Sequence, residues 1–144
     1  MSILDIIVRL GAALLVGGAI GLNRDLHGKP TGVRTLSLVA LGSALAVIAV
    51  TESADINAVS RVIQGILTGV GFIGAGVIMR TADDHVHGLT TAACTWLTAC
   101  VGVICGIAKW QVILVGVPLL FAVLHLGGPI ENWIHRRFGR PSDD

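Results

Sequence analysis

The feature that most constrains this sequence is an uncharged stretch of 18 residues, 62–79, which reads VIQGILTGVGFIGAGVIM. As an α-helix it would be about 27 Å long, close to the thickness of a bilayer's hydrocarbon core. Glycine weakens a helix in water by up to about 1 kcal/mol relative to alanine, but in lipid it lets a neighbouring helix approach closely. The stretch therefore predicts a membrane-spanning helix packed inside a bundle through Gly65, Gly69, Gly71, Gly74 and Gly76.

Gly65 and Gly69 are one helical turn apart, and we expect this face to contact another helix or another subunit. Residues 69–74 also match G-x-G-x-x-G, a pattern found in dinucleotide-binding domains. That motif requires a preceding strand, a βαβ unit and an acidic residue about 20 positions further on. Here more uncharged sequence precedes the pattern, and Asp83 and Asp84 come too early. The glycines therefore favour helix packing over nucleotide binding.

The composition places the whole chain in a membrane. Of its 144 residues, 53% are hydrophobic and 13% are charged, whereas soluble domains carry about 25% charged residues. We predict an all-α integral membrane bundle, with a transmembrane domain over 1–128 and a short cytoplasmic tail over 129–144. Apolar residues at helical spacing beside arginines make this tail a predicted amphipathic segment on the anionic inner leaflet. Hydropathy predicts five membrane spans, at 3–22, 36–51, 62–79, 89–107 and 110–126.

Basic residues predict the orientation, because cytoplasmic loops are enriched in lysine and arginine. With five spans, the side of the carboxyl terminus contains Arg24, Lys29, Arg34, Arg80, Arg136, Arg137 and Arg140. The opposite side contains Arg9, Arg61 and Lys109. We therefore expect the amino terminus outside and the carboxyl terminus in the cytoplasm. The chain begins without a basic n-region, so the first span is expected to remain in the membrane.

Two charges fall inside the first predicted span. Asp5 and Arg9 are four residues apart and share one helix face. They are either an ion pair that reaches the membrane interface or a functional charge within the membrane, and the sequence leaves both interpretations open. Ala13, Gly17 and Gly21 follow at the small-xxx-small spacing of closely packed membrane helices.

Polar residues also occupy one face of the fourth predicted span. Thr91, Thr95 and Thr98 share this face, and we expect them to hydrogen-bond across the bundle or to carbonyls of their own helix. A polar lining is the alternative interpretation. The same span contains three cysteines, an odd number that argues against a disulfide framework.

Four blocks of the sequence resemble the membrane domain of the MgtC/SapB family. They are GAIGLNRD at 18–25, GVRTLSLVALG at 32–42, RVIQGILTGVGFIGAGVIMR at 61–80 and VHGLTTAACTW at 86–96. The resemblance implies a protein of the bacterial cytoplasmic membrane that is linked to magnesium homeostasis. The family commonly has Glu-Arg where this chain has Asn23-Arg24. MgtC itself also has a cytoplasmic ACT-like domain, and we expect these residues to correspond to the family's membrane domain without it.

The residues give weak support for a magnesium site inside the membrane. Mg²⁺ prefers a shell of oxygen ligands and loses water reluctantly, and Asp5 is the only acid within a predicted span. The third loop contains Asp83, Asp84 and His85, which either bind a hydrated ion or form a solvated acidic turn. The residues establish no cofactor and leave Mg²⁺ as a candidate, and we expect no enzymatic activity and no binding of nucleic acid.

Two functional hypotheses follow from the resemblance and the residues. The first is a membrane protein that moves or senses Mg²⁺. The second is a non-transporting regulatory protein that docks on another membrane complex, as the family's reported effect on ATP synthase implies. Expected partners are bilayer lipid, a second copy of the chain in a homo-oligomer such as a dimer, and a membrane protein.

The residues expected to carry the function are charges and hydroxyl groups at span ends, inside or beside the family blocks. They are Asp5, Arg9, Asn23, Arg24, Asp25, Arg34, Thr35, Arg61, Thr90 and Thr91. Neutralising Arg34 is expected to impair function without preventing membrane insertion.

Overall fold

The structure is a computed structural model that describes residues 1–51, 56–80 and 86–138. These residues form five α-helices: α1 (Ile3–Leu26), α2 (Val33–Thr51), α3 (Ile56–Val77), α4 (Leu89–Gly106) and α5 (Trp110–Phe138). All five are long and apolar enough to cross a membrane, so the predicted all-α membrane bundle is confirmed. Between α3 and α4, two short strands that the sequence did not predict pair antiparallel: β1 (Met79–Arg80) and β2 (Val86–His87).

Local sequence accounts for several helix ends. α1 begins after Ser2, whose hydroxyl oxygen accepts a hydrogen bond from the Asp5 N–H group over 3.2 Å. It ends just before Gly28, which adopts a φ of 61°, a left-handed conformation that glycine enters without strain. Gly88, with a φ of 93°, precedes α4, and a Cβ there would overlap the Val77 carbonyl oxygen. Only residues 107–109 separate α4 from α5, which makes these two helices a tight hairpin.

The centre of the bundle is formed by α1, α2 and α4. α1 runs antiparallel to α2, with Gly17 opposite Leu36 and Ala40 and with Gly21 opposite Val33. A Cβ on Gly17 would lie 2.7 Å from the Leu36 carbonyl oxygen, and one on Gly21 would lie 2.5 Å from the Val33 Cα atom. No larger residue fits at these distances, so glycine sets the spacing of the two helices. The small-xxx-small face predicted on the first span is the face that α1 presents to α2.

A second pair of glycines brings α2 against α4, and these two helices run parallel. Gly102 lies against the backbone of Ala40, and Gly106, one turn later, lies against Ala44. A Cβ on Gly106 would be 3.0 Å from the Ala44 carbonyl oxygen. Ala13 of α1 is fully buried in the same cluster. This contact was not predicted, although the G-x-x-x-G spacing of Gly102 and Gly106 is the pattern of close helix contacts.

α3 lies at the edge of the bundle, against α4 and one side of α2, rather than inside it. Gly74 is the α3 glycine that faces a neighbour, because a Cβ there would meet the Ala92 Cβ atom at 3.5 Å. At the other four, Gly65, Gly69, Gly71 and Gly76, a Cβ would meet no described residue within 4 Å. The predicted packing inside the bundle is therefore not met at these four glycines within one chain, because the neighbouring helices reach only the Gly74 side of α3. Contact of Gly65 and Gly69 with another subunit stays a prediction.

α5 continues to Phe138, beyond the predicted end of the fifth span at residue 126. Pro118 and Pro129 both lie inside this helix. A proline removes one backbone hydrogen bond, which in a membrane helix kinks the chain without ending it. The helix has 29 residues, which corresponds to about 43 Å and exceeds a hydrocarbon core of about 30 Å. The predicted amphipathic segment is thus the last part of α5 as far as Phe138, and residues 139–144 lie outside the described part of the chain.

Candidate functional site

Arg24, in the last turn of α1, is the one buried charge among the side chains that the structure describes. It is 5% exposed, and its Nη2 atom donates a hydrogen bond to the hydroxyl oxygen of Thr91, in the first turn of α4. Thr91 is also buried, and the Nε–H group of Arg24 has no hydrogen-bond partner in the described part of the chain. A buried charge is costly unless it is paired. This cluster is therefore the first candidate for a functional site.

The carboxylate of the next residue, Asp25, binds the start of α2 and not Arg24. Asp25 Oδ2 accepts a hydrogen bond from the backbone N–H of Val33 over 2.9 Å, so that Asp25 caps α2 from the end of α1. A Cβ on Gly32 would overlap this carboxylate, which explains why glycine precedes α2. In the part of the chain that the structure describes, no carboxylate forms an ion pair with Arg24. The blocks at 18–25 and 32–42 thus meet in one turn that stabilises α2 and leaves the arginine charge unbalanced.

Asn23 attaches α5 to this end of the bundle. Its side-chain nitrogen lies 3.3 Å from Nε2 of His125 on α5, and Nδ1 of His125 lies 2.9 Å from the Phe121 carbonyl oxygen. These contacts fit an imidazole ring that donates from Nδ1 and accepts at Nε2. His27 Nδ1 lies 2.7 Å from the Asn23 carbonyl oxygen, and the two histidine rings pack edge to face. Asn23, which stands where the family commonly has glutamate, therefore links α1 to α5.

Asp5 and Arg9 lie at the opposite end of α1. They form a bidentate ion pair, with 2.8 Å between Arg9 Nη2 and Asp5 Oδ2 and 3.0 Å between Arg9 Nε and Asp5 Oδ1. Arg9 Nη1 also donates to the Gly106 carbonyl oxygen, at the end of α4, over 2.8 Å. Carbonyl groups at a helix end lack partners within the helix. Arg9 supplies a partner for the Gly106 carbonyl group and so joins α1 to α4, which supports a structural role for the Asp5–Arg9 pair.

The threonine hydroxyl groups of α4 form hydrogen bonds largely within their own helix. Thr95 donates to the Thr91 carbonyl oxygen over 2.9 Å, and Thr98 donates to the Cys94 carbonyl oxygen over 2.8 Å. Both threonines are fully buried. Of the two interpretations, these contacts support hydrogen bonding to the helix's own carbonyls over a polar lining.

Comparison with known sequences decides the family. Residues 10–133 match the sequence profile of the MgtC family. The chain belongs to the MgtC family. It is 46% identical over 133 residues to SrpB of Synechococcus elongatus, an alignment that covers 83% of this chain and 72% of SrpB. No solved structure matches it.

Two further relatives are longer than this MgtC-family chain. YhiD of Escherichia coli K12, whose name describes a proposed magnesium transporter, is 37% identical over 130 residues, covering 85% of this chain and 60% of YhiD. MgtC of Salmonella typhimurium is 40% identical over 112 residues, covering 77% of this chain and 47% of MgtC. The chain therefore spans about half to three fifths of these two proteins.

The remaining predicted residues of this MgtC-family chain are exposed. Arg34 and Thr35, in the first turn of α2, and Thr90, in the first turn of α4, lie at the same end of the bundle as Arg24. Arg61 is exposed in the second turn of α3 and lies towards the opposite end. The candidate metal ligands of the third loop lie outside the described residues: Asp83, Asp84 and His85.

Sequence reasoning missed two residues that shape the site. Gly32 makes room for the Asp25 carboxylate, and His125 receives the Asn23 amide. Gly32 stands seven positions after Asp25, but it lies in the connection between α1 and α2, so helical spacing does not relate the two. His125 lies on a different helix from Asn23, and one sequence carries no signal that joins them.

Proposed function

We propose that this MgtC-family chain regulates another membrane protein in magnesium homeostasis and does not itself conduct Mg²⁺. Family membership and the name of YhiD support the link to magnesium. Regulation is favoured over conduction by one observation: the buried charge in the candidate site is a cation, Arg24.

A buried arginine opposes the passage of Mg²⁺. A unit positive charge and a divalent cation 4 Å apart repel each other by about 8 kcal/mol at an effective dielectric constant of about 20. Compensation would require carboxylates, and none among the described residues pairs with Arg24. The buried hydroxyls of Thr95 and Thr98 donate to carbonyls of α4, which satisfies them within their own helix. A cation that sheds its water reluctantly would gain little from this interior.

Transport or sensing of Mg²⁺ by the chain itself is the second candidate, and the name of YhiD favours it. In that case the acids of the third loop, Asp83 and Asp84, are the candidate ligands for a hydrated ion. The two candidates differ in what the bundle must do, because conduction requires a path through it and regulation requires a surface on it.

The partner surface that we propose is the exposed glycine-bearing side of α3. Gly65 and Gly69 line an open apolar groove together with Gly42 and Ser43 of α2. Phe72, three residues after Gly69, is 83% exposed. Glycines one turn apart let a helix of a neighbouring protein approach closely without displacing side chains. The occupant is a second copy of the chain in a homodimer or a helix of another membrane complex, with ATP synthase as the complex that the family resemblance implies.

We also propose that the chain lies in a bacterial cytoplasmic membrane with its amino terminus outside. Six basic residues of the described chain lie at the end of the bundle where α1 and α5 end: Arg24, Lys29, Arg34, Arg80, Arg136 and Arg137. Three lie at the other end: Arg9, Arg61 and Lys109. This asymmetry supports the end with six basic residues as the cytoplasmic one.

Site-specific photocrosslinking tests the proposed surface. A photoreactive amino acid in place of Phe72 should give protein adducts in native membranes, and mass spectrometry should identify either the same chain or a subunit of another membrane complex. The matched control is the same group in place of Leu114 on α5, which is 74% exposed and should contact only lipid. Absence of protein adducts at position 72, or equal adducts at both positions, would contradict the proposal.

A further inference from the structure

We propose that the amino terminus of α4, together with Arg24, binds a phosphate group, supplied either as inorganic phosphate or by the headgroup of an anionic lipid. The proposal goes beyond the regulatory function and does not depend on it. Two independent observations carry it: the described residues provide no side-chain cap for α4, and the buried Arg24 beside it has an Nε–H group without a partner.

Among the described residues, no side chain caps the start of α4. Gly88 occupies the capping position without a side-chain hydrogen bond, and the first turn contains no acid. The first N–H groups of a helix have no partner within it, and together they carry a positive charge equivalent to about half an elementary charge. Leu89 and Thr90 are exposed, so an anion can reach this turn from outside the bundle. Phosphate groups commonly bind proteins at such helix starts.

Arg24 adds a full positive charge at the same turn. Its guanidinium group donates to Thr91, the third residue of α4, while its Nε–H group has no partner. Arginine keeps its charge in proteins, so loss of a proton cannot relieve this burial. The like charges of the guanidinium group and the helix start therefore repel each other until an anion lies beside them.

The donors of this cluster suit an oxyanion. Phosphate at the exposed first turn can accept from the N–H groups of Leu89 and Thr90 and from the Thr90 hydroxyl group. Thr91 connects it to Arg24, because a hydroxyl oxygen that accepts from the guanidinium group keeps its own hydrogen to donate. Charge-assisted hydrogen bonds to phosphate are about twice as strong as neutral ones. The same donors offer nothing to a metal ion.

Both sources of phosphate fit the position of the site. Lys29 and Arg34 are exposed at the same end of the bundle. Exposed basic residues at a membrane surface attract anionic lipid headgroups and free anions alike. The experiment therefore has one arm for each source.

The test measures backbone amide chemical shifts of the ¹⁵N-labelled chain in maltoside micelles, which contain no phosphate. One arm adds inorganic phosphate at constant ionic strength, with chloride as the control anion. The other adds phosphatidylglycerol, with diacylglycerol as the phosphate-free control lipid. We expect saturable shifts of the Leu89 and Thr90 amides in at least one arm. Saturation in the first arm identifies free phosphate, and saturation in the second identifies the headgroup.

Variants then test the role of Arg24. We expect at least tenfold weaker binding in Arg24→Gln, a smaller loss in Arg24→Lys and no change in Arg9→Gln, where the removed charge already has Asp5 as its partner. Thr91→Val removes the connecting hydroxyl group at nearly constant volume, and it decides the question if Arg24→Gln does not fold. Absence of saturation in both arms of the wild-type chain would overturn the proposal, as would equal affinity in the wild-type, Arg24→Gln and Thr91→Val chains.

Discussion

Gly102 of α4 lies directly against the backbone of Ala40 in α2, with no space for a side chain between them. The contact lies in the centre of the bundle, where fully buried Ala13 and Ala44 surround it. Gly102→Val should destabilise the chain by about 1–3 kcal/mol or more, because overpacking forces backbones apart. Unfolding by SDS in mixed micelles measures the difference.

The matched control for this substitution is Gly116→Val on α5, where a Cβ meets nothing within 4 Å. The control carries the same change in helix propensity without the contact. Equal loss of stability in both variants would show that the α2–α4 contact does not depend on glycine at this position.

Arg9 joins α1 to α4 through Asp5 and the Gly106 carbonyl oxygen. Arg9→Gln should cost about 1–2 kcal/mol, because hydrogen bonds of charged groups contribute about 1.5–3 kcal/mol and partial exposure reduces this. Arg9→Lys should give an intermediate loss, since lysine keeps the charge but cannot form the bidentate pair. Stability of Arg9→Gln equal to the wild type in the same SDS titration would rule out this connection.

Gly69 has open space beside it within one chain. Gly69→Leu should therefore leave the unfolding of the monomer nearly unchanged while it blocks the approach of a second helix to α3. Size-exclusion chromatography with light scattering should show a smaller assembly for Gly69→Leu and no change for Gly116→Leu. An elution profile identical to the wild type would contradict the proposed subunit contact.

Arg34 is exposed at the start of α2, at the same end of the bundle as Arg24. Arg34→Gln should insert normally, because the charge lies at the end of the helix and not within its apolar length. Growth at limiting magnesium, in cells that depend on this chain, should nevertheless be reduced. Wild-type growth of the variant at equal membrane content would show that the charge has no functional role.

Much of the fold could be predicted from the sequence, because the bilayer alone sets the length and apolarity that a spanning helix needs, and both can be read from the residues. The second and fourth predicted spans lie within three residues of α2 and α4 at each end. The continuation of α5 was missed, because glycines and a proline at 127–129 usually indicate a break. In this helix the chain continues through Pro129 with the loss of one hydrogen bond.

The choice of packing glycines could not be predicted in the same way. Gly65 and Gly69 of α3 have the same four-residue spacing as Gly102 and Gly106 of α4, yet only the α4 pair lies against another helix of the chain. The spacing fixes a face, whereas the arrangement of the other helices decides what covers it. The charged residues show the same limit: Arg24 was a candidate from its place in the sequence, but its burial depends on α4.

Magnesium flux in reconstituted vesicles tests the central claim most directly. Liposomes that contain a Mg²⁺-sensitive dye and the purified chain are compared with protein-free liposomes under an inward Mg²⁺ gradient. We predict equal entry of Mg²⁺ in the two preparations, because the buried charge at the α1–α4 contact is positive. Saturable entry that depends on the chain, and that increases in Arg24→Gln, would contradict the claim that this bundle does not conduct the ion.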